Sequence, residues 1–459
     1  MRIDFRKLTK HRIALFLFWY MALFPGRLGY DYALLAQMVQ KGESTAWWGA
    51  NFYWMFRLFT FDGRSLFLLS LIGLTTLTFA LYFFIWSLPI GQEYRRRILT
   101  AIMVTPIYGF FGVTVSHDVF QTSGILLISA LLLRWRFGRL SSFHQYIPVM
   151  IFSIFCLLTT HTGIVIVLFL LFFVFFNNER KVALLLLVFT TSIYLVSGLG
   201  INEPSEFSEF RGKVPDAKNA LTVLILVDLK CIAQHPDALI TAREWGVLER
   251  YSPKARWLSQ TTCSNPDAMA GPLALDESTL EINKELVQTF FSIVSRSPAI
   301  PFVSHIQRSA VALPPPFFLP PANQIPWDSR IPLGSGTNVA LQSGPGLLHP
   351  SIDEPSLAKE LSVLAPLEVI AQTMALIINQ ASWFWGWGGL WLWPMYLCLI
   401  LRLGIKRLSD CIVITAPTLI LHLSIFVVGP SSLPRYVMAT IFQGLIYTFL
   451  LVIGRKASA

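Results

Sequence analysis

The chain is poor in charged residues, and this shortage argues against a soluble fold. Of its 459 residues, 14% are charged and 54% are hydrophobic, whereas a soluble globular domain carries about 25% charged residues. The sequence also lacks a Walker or dinucleotide-binding glycine motif, a C-x-x-C pair and a His-x-x-x-His pair. These absences argue against nucleotide hydrolysis and against a zinc site.

A cleavable signal sequence is also missing. The first apolar run, IALFLFWYMALFPG, ends in bulky residues without a small-x-small cleavage pattern, so we expect it to remain as a first helix. The net charge of +10 could indicate a nucleic-acid partner. The basic residues instead form short clusters between apolar runs, as the positive-inside rule requires of a membrane protein. We therefore expect no nucleic-acid partner.

Ten apolar runs alternate with the basic clusters, and a membrane-spanning helix needs about 20 such residues. The runs lie at 12–26, 64–90, 98–116, 119–136, 145–162, 163–176, 181–199, 387–403, 409–429 and 436–454. With ten spans, six clusters fall on one side: RKLTKHR, EYRRR, RWRFGR, NNERK, RLGIKR and GRKASA. The pattern predicts an all-α polytopic protein of the plasma (inner) membrane, with about 10 transmembrane helices and both termini in the cytoplasm.

This topology divides the chain into three parts. Residues 1–199 form an N-terminal transmembrane module whose first outer loop is 27–62, residues 200–386 form a large extracytoplasmic segment, and residues 387–459 form the C-terminal transmembrane helices. Within the outer segment, AKNALTVLILVDLKCIAQ and LEINKELVQTFFSIVSR have apolar residues at helical spacing. A Pro- and Gly-rich stretch, residues 312–350, is either a lid or a passive surface loop.

Five polar residues from separated segments are expected on the outer face: Asp31, His117, Asp118, His161 and Arg435. Two nearby carboxylates can bind a divalent cation such as Mg²⁺ or Mn²⁺, or one can act as a general base. An arginine can hold a phosphate through a bidentate fork. The set suits a phosphate-bearing lipid substrate at the membrane surface.

Each of these residues also has an ordinary structural explanation. Asp31 can cap the short helix predicted in YDYALLAQMVQKG, and Asp118 can cap the fourth span, which we expect to start at Val119. His117 and His161 can be interfacial or structural histidines, and Arg435 can be an interfacial anchor. The aromatic stretch 47–54 suits the lipid headgroup zone. Local sequence alone leaves these alternatives open.

The chain resembles the bacterial GT-C-type integral-membrane glycosyltransferases, which use sugars linked to polyprenyl phosphate. The likeness rests on an aspartate just after the first span, in FPGRLGYDYALLAQMVQKG, and on an acidic residue opening a later span, in SHDVFQTSGILLISALLL. A large outer segment late in the chain and an arginine–tyrosine pair at the last span, in LPRYVMATI, complete it. The resemblance covers nearly the whole chain, although each motif is short.

The resemblance implies a GT-C-like bundle and an inverting sugar transfer on the outer face. Asp31 would be the catalytic base, and Asp118 a second catalytic carboxylate that could share a metal ion with it. Phosphate and sugar would be bound by residues at the same surface: Arg27, His117, His161, Arg435 and Tyr436. The donor would be an undecaprenyl- or dolichyl-phosphate sugar, and the acceptor a lipid or glycan of the cell envelope. No cofactor other than this cation is implied.

Two further functions stay open. A transporter or flippase of a lipid-linked saccharide would carry polar or helix-breaking residues near mid-span, and Pro106, Pro394 and Pro417 lie within predicted spans. A glycan polymerase or ligase would use the same type of donor.

Cysteine placement gives one more prediction. Cys231 and Cys263 are the only two of the five cysteines in the outer segment. If that segment faces an oxidising compartment, the two thiols should form a disulfide.

Overall fold

The structure is a computed structural model. It describes residues 10–24, 26–28, 30–40, 42, 49–138, 142–198, 220–259, 273, 284–300, 302, 306, 373, 388–405, 407–428 and 434–453. For Arg27, Asp31 and Arg435 only the backbone is described. The Pro- and Gly-rich stretch, Trp47 and Cys263 lie outside these ranges.

The described part of the chain is mostly helical, with two very short strands. Its N-terminal half contains α1 (Lys10–Ala22), β1 (Arg27–Leu28), α2 (Tyr30–Gln40), α3 (Ala50–Phe59), α4 (Phe67–Ser87), α5 (Gln92–Val104), α6 (Pro106–Val113), β2 (Thr114–Val115), α7 (His117–Arg136), a 3₁₀ helix (Phe143–Tyr146), α8 (Ile147–Leu157), α9 (Gly163–Phe176) and α10 (Arg180–Gly198). The remainder contains α11 (Ala220–Ala233), α12 (Ala242–Leu248), α13 (Lys254–Leu258), α14 (Lys284–Arg296), α15 (Gly388–Leu401), α16 (Leu408–Val428), a second 3₁₀ helix (Pro434–Val437) and α17 (Met438–Ile453).

Four of the described helices are long and apolar enough to cross a membrane: α4, α7, α10 and α16. The 3₁₀–α8 unit, α9, α15 and α17 are apolar but shorter. Helix α10 exposes a row of apolar side chains that includes Leu184, Val188 and Leu195, a surface that suits lipid better than water. The structure therefore has the character of an all-α membrane protein, and the number of about ten spans remains a prediction.

Helix α7 lies at the centre of the bundle. Almost nine-tenths of its apolar stretch is buried. Helices α4, α8, α16 and α17 pack around it. Close packing of α7 against α8 depends on Gly124, because a Cβ there would lie 2.8 Å from Leu157 Cγ. Both ends of α7 are therefore held in place by neighbouring helices.

The predicted span 98–116 is interrupted in the structure. Helix α5 ends at Val104 and α6 begins at Pro106, with Thr105 in an extended conformation between them. Proline disfavours a helical conformation in the residue before it, so Thr105 leaves the helix. The first predicted span, 12–26, is likewise shorter than expected, since α1 ends at Ala22.

The two ends of α7 mark the two ends of the bundle. At the end we call the arginine end, Arg134 Nε donates to Ser87 Oγ at 2.7 Å, and Arg136 forms an ion pair with Asp410 at 2.8 Å. Arg12 of α1 contacts the first turns of α5 at the same end. These contacts join helix ends that the charge pattern assigns to one side of the membrane. The opposite end, where Asp118 lies, is called the Asp118 end.

Helices α11 to α14 form a small core of their own. Trp257 is fully buried, packs with Leu226 and Leu248, and donates from Nε1 to the Ser252 carbonyl at 2.8 Å. Helices α11 and α14 correspond to the two helices predicted here. Cys231 on α11 is disulfide-bonded, while Cys156, Cys398 and Cys411 are free. The predicted partner Cys263 lies outside the described residues, so the pairing stays a prediction.

Candidate functional site

A short parallel strand pair joins the first outer loop to the connection before α7. Arg27 pairs with Thr114, and Leu28 pairs with Val115. In both units the helix begins two residues after its strand, at Tyr30 in α2 and at His117 in α7.

Because the strands pair in this register, Asp31 and Asp118 occupy equivalent backbone positions, four residues after Arg27 and Thr114 respectively. Each aspartate is the second residue of its helix.

Ser116, and not Asp118, is the N-cap of α7. The Ser116 backbone is extended and its Oγ accepts from the Asp118 N–H at 3.0 Å. The same hydroxyl donates to Asp118 Oδ2 at 2.7 Å. The alternative in which Asp118 caps a helix starting at Val119 is therefore wrong, since the serine performs the capping two residues earlier. Asp118 remains in the first turn, where the helix dipole favours a negative charge.

Tyr32 on α2 reaches across to all three residues at the start of α7. Its hydroxyl lies 2.9 Å from Ser116 Oγ, 2.7 Å from His117 Nδ1 and 3.4 Å from Asp118 Oδ2. His117 Nε2 lies 3.4 Å from Asp118 Oδ1. The residue next to Asp31 thus contacts Asp118 directly. The Asp31 side chain is outside the description, so its predicted proximity to Asp118 rests on the backbone register.

Burial distinguishes the members of this network. The Asp118 side chain is 1% exposed and the His117 side chain is 16% exposed, while Tyr32 is buried. A buried carboxylate is costly unless hydrogen bonds compensate for lost hydration, and Ser116 and Tyr32 supply them. His117 is the part of the network that solvent or a substrate can reach.

Aromatic packing beneath the network corrects one expectation. Phe52 and Tyr53 on α3, expected in the headgroup zone, are fully buried. The Phe52 ring lies 5.7 Å from both the Tyr32 ring and the His117 ring, in edge-on contacts. Helix α3 therefore packs under the network as its apolar floor, because α2 and α7 cover the face that would otherwise meet lipid.

A second polar layer comes from the turn between α8 and α9. Thr159 Oγ1 lies 3.4 Å from the His117 carbonyl, and Gln121 Nε2 donates to Thr162 Oγ1 at 2.7 Å. The start of α3 also packs against this turn. Gly49, which precedes α3, has a φ of +91°, and a Cβ there would lie 2.6 Å from the Thr159 carbonyl oxygen, so this position favours glycine. His161 is at the tip of the same turn and is exposed.

The other predicted residues, Arg435, Tyr436 and Arg27, lie in two short elements. Arg435 and Tyr436 belong to the 3₁₀ helix Pro434–Val437, which packs against α7, and the Tyr436 side chain is half-buried. Arg27 lies in β1, where its backbone pairs with Thr114. No cluster of three His, Cys, Asp or Glu side chains suited to a metal ion occurs within the described ranges. A shared metal at Asp31 and Asp118 remains a prediction.

Tyr32 and Ser116 were not among the predicted site residues. Ser116 carried a local signal, since a serine directly before an apolar helix is a typical N-cap. Tyr32 carried only its position beside Asp31, because its partners lie more than 80 residues away in sequence.

We expect the Tyr32→Phe variant to unfold at a lower temperature than the wild type. Removing one hydroxyl takes a hydrogen-bond partner from Ser116, His117 and Asp118, which should cost about 1–3 kcal/mol. Thermal unfolding of the full chain in detergent would measure the shift. Tyr108→Phe is the matched control, because that buried hydroxyl contacts only Thr78 among the described residues. Equal shifts in the two variants would contradict a joining role for Tyr32.

Comparisons with protein family models, with curated proteins and with solved structures gave no match.

Proposed function

We propose that this protein is a membrane glycosyltransferase that moves a sugar from a polyprenyl-phosphate donor to a cell-envelope lipid or glycan at the Asp118 end. The observation that carries the proposal is the register of β1 and β2, which sets Asp31 and Asp118 at equivalent positions in two adjacent helix starts. A site for sugar transfer needs a base and electrostatic stabilisation of a phosphate, and this arrangement offers both.

Asp31 takes the role of general base in this proposal. It accepts the proton of the acceptor hydroxyl while the hydroxyl oxygen bonds to the anomeric carbon. The bond from that carbon to the phosphate oxygen breaks, its electron pair leaves with the lipid phosphate, and the anomeric centre inverts. The positive ends of the α2 and α7 helix dipoles lie near the site, which favours binding of the departing phosphate.

Asp118 acts as a positioning residue in this scheme. Its carboxylate holds Ser116 and Tyr32 and lies beside His117. That leaves the His117 ring at the edge of the network, where it can meet the sugar. Arg27, Arg435, Tyr436 and His161 complete the proposed contacts to phosphate and sugar. A Mg²⁺ or Mn²⁺ ion between Asp31 and Asp118 would add electrostatic stabilisation.

A transfer assay tests the proposal. Purified protein in lipid nanodiscs is given polyprenyl-phosphate sugars and envelope lipids, and release of polyprenyl phosphate is measured with and without Mg²⁺ or Mn²⁺. Asp118→Asn should lower the rate about 10- to 100-fold, because misplacing contact groups costs about that much. Asp62→Asn is the matched control, since among the described residues Asp62 forms its ion pair with exposed Arg57 and such pairs contribute little. An Asp118→Asn variant as active as the wild type would remove Asp118 from the site.

A buried polar chain favours the transporter or flippase as a second candidate function. Gln443 on α17 accepts from Thr418 on α16 and donates to Ser129 on α7, both at 3.2 Å. His422 on α16 is buried and lies 2.6 Å from Thr440 Oγ1. The charge pattern predicts that polar residues lie mainly at one membrane face. These side chains instead lie within helices that the topology embeds, where polar groups often mark a substrate path.

Vesicle assays separate the two functions. A flippase would move a fluorescent polyprenyl-phosphate sugar across a liposome membrane, Gln443→Leu would slow that movement, and no sugar transfer would be detected. A glycosyltransferase would show the reverse pattern: Gln443→Leu would keep transfer, and no lipid movement would be detected. Repeated addition of sugars to one acceptor would instead identify a glycan polymerase.

A further inference from the structure

The arginine end contains a buried guanidinium with an unused donor. Arg12 is 3% exposed. Its Nε donates to Thr100 Oγ1 at 3.0 Å and its Nη2 donates to the Arg96 carbonyl at 3.3 Å. Nη1 is buried and has no hydrogen-bond partner among the described residues. A buried charged group that lacks part of its hydrogen bonding is costly. We therefore expect a ligand to accept a hydrogen bond from Arg12 Nη1.

Arg96 has the same deficiency. Its Nε is buried without a hydrogen-bond partner in the described part of the chain, although the residue as a whole is half-exposed. Neither Arg12 nor Arg96 forms an ion pair with a described carboxylate. Glu93, the acidic residue of this cluster, pairs instead with Arg97 at 3.0 Å, and both of those side chains are largely exposed.

The two arginines also repel each other. The Arg12 guanidinium contacts the Arg96 backbone, which brings the two positive charges near each other. Like charges close together are unfavourable, and an anion between them relieves the repulsion. Helix α5 adds to the positive potential, because Arg96 is its fifth residue and its N-cap, Gly91, provides no side-chain hydrogen bond. Free N–H groups at a helix N-terminus attract anions.

We propose that Arg12 and Arg96 bind the phosphate group of an anionic phospholipid. Two buried N–H donors from separate guanidinium groups match the oxygens of a phosphate, which accepts strong charge-assisted hydrogen bonds. The predicted topology places this end at the cytoplasmic surface, where anionic headgroups are concentrated. The site lies at the opposite end of α7 from Asp118 and does not depend on the proposed function.

Lipid-dependent stability of the full chain tests the site. Wild-type protein is placed in nanodiscs of phosphatidylcholine alone or with 20% phosphatidylglycerol, and unfolding temperature and co-purified phosphatidylglycerol are measured. We expect phosphatidylglycerol to raise the unfolding temperature and to remain bound. Each of Arg12→Gln and Arg96→Gln should weaken the binding of phosphatidylglycerol about tenfold, since each removes a charge-assisted hydrogen bond to the phosphate and not only a surface charge.

Arg97→Gln is the matched control, because it removes one charge from the same cluster without touching the buried donors. If Arg12→Gln does not fold, Arg96→Gln alone decides, since Arg96 is half-exposed. Equal binding to all three variants and the wild type would overturn the proposal, as would equal stability of the wild type in the two lipid mixtures. Millimolar inorganic phosphate in phosphatidylcholine nanodiscs forms the last arm. Protection by phosphate that these two substitutions abolish would assign the same site to a free anion.

Discussion

Replacing Asp31 with asparagine should lower the rate of sugar transfer by about 10²- to 10⁴-fold. That range is the usual contribution of a general base, and an amide cannot accept the proton of the acceptor hydroxyl. Asparagine keeps the size of the side chain at this second position of α2. Folding should therefore be preserved, and the loss should appear in the rate at saturating donor. The measurement is release of polyprenyl phosphate under single-turnover conditions.

The control for this prediction is again Asp62→Asn, which changes a carboxylate of the same outer loop. A second comparison uses the unfolding temperature, which Asp31→Asn should leave within a few degrees of the wild-type value. If Asp31→Asn retains full transfer activity while Asp118→Asn is inactive, the base would have to be reassigned to α7. If both variants are fully active, the whole catalytic assignment fails.

Replacing Lys230 with methionine should destabilise the unit formed by α11 to α14 by about 2 kcal/mol. The Lys230 ammonium is buried and donates to the carbonyls of Arg256, Trp257 and Ser259 and to the Ser259 hydroxyl. Methionine fills a similar volume but leaves those carbonyls without their donor, at about 1–3 kcal/mol for each unsatisfied group. Removing a buried charge offsets part of that loss. Local amide exchange in α13 should accelerate about thirtyfold.

The pH dependence of this effect has a definite sign. Burial lowers the pKa of Lys230 from 10.5 to about 8. Between pH 8 and 10.5 the unfolded chain therefore binds more protons at this residue than the folded chain, and the contribution of Lys230 to stability rises with pH. The difference in unfolding free energy between the wild type and Lys230→Met should grow across that window.

Lys284→Met provides the control for Lys230, because Lys284 is exposed and opens α14 in the same unit. It should leave α13 exchange unchanged at every pH. Exchange in α13 that is equally fast in both variants would show that the carbonyl contacts contribute nothing, and a difference that shrinks above pH 8 would contradict the lowered pKa.

The helical framework could largely be anticipated from sequence, because apolar runs and basic clusters follow directly from the cost of charge in hydrocarbon. The interruption at Thr105 came from a proline within a run that otherwise seemed continuous. The burial of Phe52 and Tyr53 could not be anticipated, since an aromatic residue suits both a headgroup and a protein core. Which one it meets depends on helices distant in sequence.

The two carboxylates of the candidate site could be chosen from the sequence, but the contacts that surround them could not. Asp31 and Asp118 each follow an apolar run at a predicted outer end, so both could be chosen from local sequence. Ser116 as the cap, and Tyr32 as the link between α2 and α7, depend on the pairing of Arg27 with Thr114. A two-residue strand carries too little pattern to be recognised from sequence, and five helices, α2 to α6, separate it from its partner strand.

That strand pair also fixes the order in which the protein can assemble. Residues 27 and 28 leave the ribosome well before residues 114 and 115, so β1 must wait without its partner while helices α2 to α6 are synthesised. Contacts between distant parts of a chain form late because the intervening loop must close first. A nascent chain that stops before β2 can contain Asp31, but it cannot yet contain the network that surrounds Asp118.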